Sequence, residues 1–363
     1  MAASEPGIMG LEDFTSALDW QARHAEENGA PATARVIRAL AGVRASDTAT
    51  GRRIAGWQRL TLKDAMPLRI AGGFHHLLLT GADDRLAEVY SRAITDQAEV
   101  DALVLELTLR FDARLLPWLD GPPQTNEAGR AASIMAGLLW LAQRVETPRF
   151  DLFELGASAG VNTMIDRYFF RLGETEVGPQ DSPMRIVPEW RGASPPTPPA
   201  GFAITSVKGC DIAPINLADP EAALQLKAYV WPDAGERMAR IDAAIALAGA
   251  TPPDLIASDA GDFATAMLAR CPAQPGTARV MFHSIMWQYM PAATQTRITA
   301  AFEAEGAAAT PDTPLGWIAL ETDPATFRHE LRVRLWDGAS HHGEEHLLSH
   351  AHPHGAWVEW LAG

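Results

Sequence analysis

The chain has 363 residues, 47% of them hydrophobic, enough for one large domain or two. Its formal net charge of −15 disfavours nucleic acid and anionic membrane surfaces as partners. Its two cysteines, Cys210 and Cys271, stand far apart in the sequence, which argues against a disulfide scaffold and a thiolate-built zinc site and suits a reducing cytoplasm. Residues 1–10 lack the basic segment and apolar stretch of a signal peptide, and no window reaches the ~18 continuous apolar residues of a membrane helix, so the expectation is a soluble cytoplasmic protein.

From Leu11 to about Val145 apolar residues recur at helical spacing, as in Phe14 and Leu18, Val36, Ile37 and Leu40, and Leu103, Leu107, Phe111 and Leu115. The spacing predicts an all-helical domain over residues 1–146 whose last helix starts at Thr125 or Asn126 and ends near Arg144. At Thr147-Pro148 the pattern changes to short apolar runs alternating with helical stretches, so residues 147–363 read as a second domain of βαβ units with a mostly parallel sheet. Seven strands are expected: Phe150 to Leu155, Ala203 to Val207, Leu255 to Ala257, Val280 to His283, Leu315 to Leu320, Leu331 to Leu335 and Ala356 to Trp360. Helices are expected at Val161 to Phe170, Glu221 to Tyr229, Glu236 to Ala248, Phe263 to Ala269 and Pro291 to Glu305. The last strands follow one another without a helix, which predicts an antiparallel edge. A hairpin-like Phe170-Arg-Leu-Gly-Glu174 and a proline-rich loop, Ser194 to Pro199, interrupt the alternation over about 171–203 and read as an insertion at the surface.

The run Phe150-Asp-Leu-Phe-Glu-Leu155 leads into Gly156-Ala-Ser-Ala-Gly160 and the helix expected after it, the context of a glycine loop that lets backbone approach a ligand. The same residues match GxSxG, the nucleophile elbow of α/β-hydrolases, with Ser158 as nucleophile, Asp211 or Asp259 as orienter and His283, His341, His342, His350 or His354 as base. Position separates the two. A hydrolase elbow follows several strands and an oxyanion loop, whereas this turn follows the first strand of the sheet, where nucleoside-binding folds carry their glycine loop. Asp211, ending the next strand, is placed to bind ribose hydroxyls, although its distance from Gly156 exceeds the usual ~20 residues. Asp259 and Asp262 follow the third strand as candidates for an adenine amine or, equally, as helix caps. After the fourth strand come His283, a candidate base, and Trp287 and Tyr289, candidate pocket walls.

The segments Phe153-Glu-Leu-Gly-Ala-Ser-Ala-Gly-Val-Asn162, Gln124-Thr-Asn-Glu-Ala-Gly-Arg130, Tyr229-Val-Trp-Pro232, His283-Ser-Ile-Met-Trp-Gln-Tyr289 and Pro353-His-Gly355 resemble the motifs of the bacterial domain-of-unknown-function family 2332. The sheet half is in turn similar to class I methyltransferases, with Glu154 two residues before the glycine turn and Ser158 where the central glycine usually stands. That resemblance implies a Rossmann-like sheet and S-adenosylmethionine as cofactor against Glu154, Gly156, Ser158, Gly160, Asp211 and Asp259; Asn162 and Asp262 are further cofactor-binding candidates, and a small-molecule substrate is expected. Its catalytic candidates are His283, Tyr289 and Arg130, the last as a guanidinium fork for a carboxylate; its substrate-binding candidates are Gln124, Asn126, Trp287 and His354. A hydrolase using Ser158 and a non-catalytic nucleoside-binding relative remain the alternatives.

Six of the 11 histidines fall between His341 and His354. Glycine at 343 and strand-like surroundings oppose a zinc-binding helix, and a solvated hairpin without metal is expected.

Overall fold

A computed structural model describes residues 14–57, 65–121, 123–124, 126–270 and 274–362; the expectations placed on residues 1–13, Thr125 and Cys271 lie outside them. In chain order, the first helices are α1 (Phe14–Glu27), α2 (Pro31–Arg44), α3 (Ala49–Ala55), α4 (Met66–Leu79), α5 (Leu86–Tyr90), α6 (Gln97–Leu115) and α7 (Ala131–Ala142). The strands β1 (Arg149–Leu155), β2 (Phe169–Leu172), β3 (Thr175–Val177), β4 (Arg185–Ile186), β5 (Glu189–Arg191) and β6 (Ala203–Asp211) follow. The remainder comprises α8 (Pro220–Ala228), α9 (Gly235–Ala250), β7 (Leu255–Ala257), α10 (Ala260–Arg270), β8 (Ala278–Ser284), α11 (Ala292–Gly306), β9 (Leu315–Thr322), β10 (His329–Trp336), β11 (His342–Ala351) and β12 (Trp357–Trp360).

Two compact units result. The first holds the described residues up to 124 together with Asp219–Asp242, and it is helical. Local chemistry sets its helix starts: proline at the first turn of α2 and α4, and the side chains of Thr48, Asp96 and Asp219 accepting N–H bonds at the starts of α3, α6 and α8. Ile37, Leu40, Ile70 and Phe74 are fully buried at its centre. Asp112, on α6, accepts the Ala49 and Thr50 amides at 2.7 and 2.8 Å and so pins the start of α3.

The second unit, Asn126–Ala218 and Ala243 onward, contains a nine-stranded sheet in the order β5-β12-β11-β10-β9-β8-β1-β6-β7. Strands β9, β8, β1, β6 and β7 are mutually parallel; β10, β11 and β12 continue antiparallel, the edge expected from the sequence. Alternation along β9 assigns its two faces. Leu315 and Trp317 join Phe263, Phe302 and Met281 in one core, whereas Gly316 and Ile318 receive Leu141 and Gly137 of α7. All twelve residues of α7 are buried, which is why residues 126–146 belong with the sheet although the composition changes only at Thr147.

Nine strands replace the expected seven. The additional ones are β5, three residues long, and β11, whose Gly-Glu-Glu-His run shows no clean alternation and which is fixed by pairing with β10 and β12 on its two sides. The expected helix from Val161 to Phe170 is also corrected: a short 3-10 turn, Asn162–Arg167, leads directly into β2. Phe169 and Phe170 are fully buried in extended backbone, and the Tyr168 hydroxyl bonds back to the Val161 carbonyl, so the aromatic run closes a small sheet of β3, β2 and β4.

Candidate functional site

Because β6 lies on one side of β1 and β8 on the other, the sheet's order reverses at β1, and ligands of open parallel sheets bind beyond the carboxyl ends at such a reversal. Five strand ends deliver polar groups there: Glu154 from β1, Asp211 from β6, Asp259 after β7, His283 from β8 and Glu321 from β9.

The turn after β1 is unusual in its backbone. Gly156, Ser158 and Gly160 have φ of 67, 53 and 73°, so alternate residues occupy the left-handed region, and Ser158 does so at a cost that glycine would avoid. Contacts from several segments hold the turn. The Ala157 amide donates to the Cys210 carbonyl at 2.8 Å, the Ser158 amide to Asp211 Oδ2 at 2.9 Å and the Val161 amide to Asn126 Oδ1 at 2.9 Å, while Met286 packs over Gly156, where an added Cβ would lie 2.7 Å from the Met286 methyl carbon. The second carboxylate oxygen of Asp211 accepts the Ala213 amide at 3.0 Å.

Glu154 is buried beneath this turn. Burial first, then the nearby Asp211 charge, pushes its carboxyl up to about 8 against the lowering effects of the Thr163 hydroxyl, the Asn162 amide and Arg130. The Thr163 hydroxyl donates to Glu154, whereas the Asn162 side chain, 1% exposed, makes no hydrogen bond of ordinary geometry with either polar atom. Ser158 Oγ is likewise buried and unpartnered, with no histidine bonded to it.

Arg130 ties two further motifs together. Its Nε donates to the Pro353 carbonyl at 2.9 Å and its Nη1 to the Ser284 carbonyl at 3.3 Å, joining the carboxyl end of β8 to the loop before β12. Beside it, Glu127 Oε1 lies 3.4 Å from His354 Nδ1, and Gly129 and Gly355 meet so closely that a Cβ on Gly355 would fall 2.3 Å from the Gly129 carbonyl carbon. Gln124 belongs to the helical unit.

His283 is 1% exposed and has both ring nitrogens engaged: the Trp317 indole N–H donates to Nε2 at 3.0 Å, so Nδ1 carries the proton it gives to Glu321 Oε1 at 2.7 Å. Glu321 Oε1 also accepts the Met286 and Trp287 amides at 3.1 and 3.2 Å, while its Oε2 is buried without a partner. Trp287 stacks on the His283 ring at 4.9 Å, and Tyr289 is 61% exposed. Between Ser284 and Met286, Ile285 has φ of 50°, a costly conformation for a β-branched residue, held by its amide bond to the Leu320 carbonyl at 2.8 Å.

The geometry therefore gathers Asn126, Arg130, Glu154, Gly156, Ser158, Gly160, Asn162, Asp211, His283, Trp287 and His354 within one network of contacts around these strand ends. Asp259 instead caps α10, accepting the Gly261 amide at 2.9 Å, and it shares Arg297 with Asp262. The sequence reading quoted Glu127, Ile285 and Met286 within the resembling motifs but gave them no role, and it did not single out Glu321. Glu321 had a signal, an acid at the carboxyl end of a parallel strand; the other three had none that could be read locally.

The histidine-rich segment is accounted for by structure. His341 pairs with Asp337, His346 packs on Trp140 and His350 lies between Glu330 and Glu359. Among the described residues no group of three or more His, Cys, Asp or Glu is placed to hold a metal ion, and no helix is long and apolar enough to cross a membrane. A cavity of about 580 Å³, walled by Met135, Ile165, Tyr168, Pro199 and Phe202, opens at the amino end of β6, the end remote from the glycine turn; its charged groups, Asp166 and Glu176, are exposed. The converging motifs and orphaned polar atoms lie at the other end, which is the candidate site.

Residues 15–360 match the sequence family described as uncharacterized protein conserved in bacteria (DUF2332), and the chain belongs to it. No curated protein and no solved structure matches.

Proposed function

We propose that this family member is a Rossmann-like, S-adenosylmethionine-dependent methyltransferase acting on a small molecule in the cytoplasm. The observation that carries the reading is the turn Gly156–Gly160: three alternate left-handed residues leaving the central strand at the point of reversal, with the acid that ends the neighbouring strand bonded to its middle amide. Support comes also from the parallel order β7-β6-β1-β8-β9, which in order of appearance among these five is 3-2-1-4-5, that of a doubly wound sheet.

The residues present fit a nucleoside cofactor. Each oxygen of Asp211 accepts one amide and keeps a lone pair for a ribose hydroxyl. The Ser158 hydroxyl is buried and unsatisfied, and the Asn162 carboxamide, beside Glu154, is buried with no hydrogen bond of ordinary geometry, the condition that a polar ligand relieves. Met286, the residue over Gly156, is unbranched and adaptable. When bound, the cofactor supplies an electrophilic methyl group, and the chain's part is to hold donor and acceptor in line and exclude water. His283 acts in this account through Glu321, which it orients, because neither of its nitrogens is open to a substrate. The net charge of −15 supports a small acceptor over nucleic acid.

Isothermal titration calorimetry with S-adenosylhomocysteine tests the proposal on the wild type, Asp211→Asn and Ser158→Gly. Saturable binding that weakens strongly in Asp211→Asn and survives, modestly weakened, in Ser158→Gly supports it. Absence of binding, together with fluorophosphonate labelling that disappears in Ser158→Gly, would replace it with the hydrolase reading.

A further inference from the structure

We infer that Glu321 anchors a subsite for an organic ammonium ligand at the carboxyl ends of β8 and β9. Three N–H groups, from His283, Met286 and Trp287, converge on Oε1 at 2.7, 3.1 and 3.2 Å, the arrangement of a carboxylate whose first oxygen is saturated. The second oxygen is buried and bonded to nothing, and no Lys or Arg among the described residues pairs with Glu321. A buried carboxylate oxygen without a donor is costly, and an incoming charged N–H donor satisfies it with a stronger bond than a neutral hydroxyl forms.

The surroundings select the same chemistry. Trp317 closes the far side of His283, so the imidazole cannot turn to serve Oε2 without breaking two bonds. Trp287, whose amide bonds Oε1, stacks on that imidazole and lies 5.4 Å from Trp317 between ring centroids, so packed rings hold the imidazole on Oε1 and leave Oε2 to an incoming donor. Ile285, held in left-handed backbone, fixes the turn whose amides saturate Oε1 and so leaves Oε2 as the open valence. The subsite stands on these contacts alone. Joined to the methyltransferase reading, on which this one statement rests, it makes the acceptor an amine: the bound ammonium would give one proton to Glu321 Oε2, and the freed nitrogen lone pair would take the methyl group as its bond to the sulfonium sulfur breaks and the thioether leaves.

The test is calorimetric titration of the full chain with benzylammonium, benzyl alcohol and benzoate, repeated with Glu321→Gln and run beside S-adenosylhomocysteine. Glutamine keeps an acceptor for the three N–H donors and removes the charge. The expected result is saturable binding of benzylammonium alone, weakened about tenfold or more in Glu321→Gln. Benzyl alcohol binding as tightly as the amine, no saturable amine binding, or amine binding unchanged in the variant would each overturn the inference. The comparison of amine with alcohol on the wild type decides the matter even where the variant does not fold. Amine binding that depends on Glu321, without any binding of S-adenosylhomocysteine, would keep the subsite and remove the methyltransferase reading.

Discussion

Gly355→Ala perturbs the contact on which the convergence of the motifs depends. Gly355 has φ of 72°, and an added Cβ would lie 2.3 Å from the Gly129 carbonyl carbon and 2.4 Å from its Cα and oxygen, all backbone atoms that cannot rotate away. Left-handed alanine costs ~1 kcal/mol, and forcing the two segments apart adds roughly 1–3 kcal/mol, so a loss of about 2–4 kcal/mol is expected. Gly276→Ala is the control. Gly276 has nearly the same φ, 73°, but its nearest neighbour, a Thr147 methyl, stands 3.7 Å from the added Cβ, which leaves only the ~1 kcal/mol backbone term. Urea unfolding followed by tryptophan fluorescence measures both variants. Equal losses would refute the close approach of Gly129 and Gly355, and with it the clamp that Arg130 completes.

Ser158→Gly should be neutral or stabilising by up to ~1 kcal/mol in the same assay, because φ of 53° favours glycine and the hydroxyl has no partner to lose. Arg130→Lys removes the fork that reaches two carbonyls and should cost about 1–3 kcal/mol, read as a lower urea midpoint. Glu154 has a folded-state pKa raised from 4.5 to about 8, so its protonated form contributes stability that is complete below 4.5 and lost as pH rises through about 8. Glu154→Gln should therefore gain on the wild type from pH 5 to pH 9, and a constant difference would show the carboxyl to be unperturbed. His75 runs the other way: burial lowers it from 6.5 to about 4, so its contribution is present above 6.5 and lost as pH falls through about 4. His75→Gln should flatten the acid limb of the unfolding midpoint.

Strand positions were legible wherever a strand is buried on both faces. β1, β8 and β9 extend the expected runs by only a few residues, because continuous apolar runs bounded by turn residues mark such strands; the edge strand Leu255–Ala257, although largely exposed, also has the limits read from the sequence. β11 was illegible because its burial does not alternate, and the ladder bonds to β10 and β12 that fix its register leave no pattern in the sequence. The segment after Gly160 misled because helical spacing and an aromatic run overlap there, and burial of Phe169 and Phe170 decided for strand. In the site, the glycine turn and Asp211 could be singled out from their position after strands, and the Ser158 amide joins the two. The engagement of both nitrogens of His283 was not readable, since it depends on Trp317 and Glu321 brought over from β9. Arg130 was noticed for its chemistry, but its carbonyl partners lie 154 and 223 residues away in sequence.

A crystal structure of the protein grown with S-adenosylhomocysteine tests the central claim most directly. The account predicts nucleoside density over Gly156–Gly160 with the ribose hydroxyls on Asp211 and Met286 displaced from Gly156. Density in the cavity at the amino end of β6, or none at a concentration that saturates known methyltransferases, would contradict it.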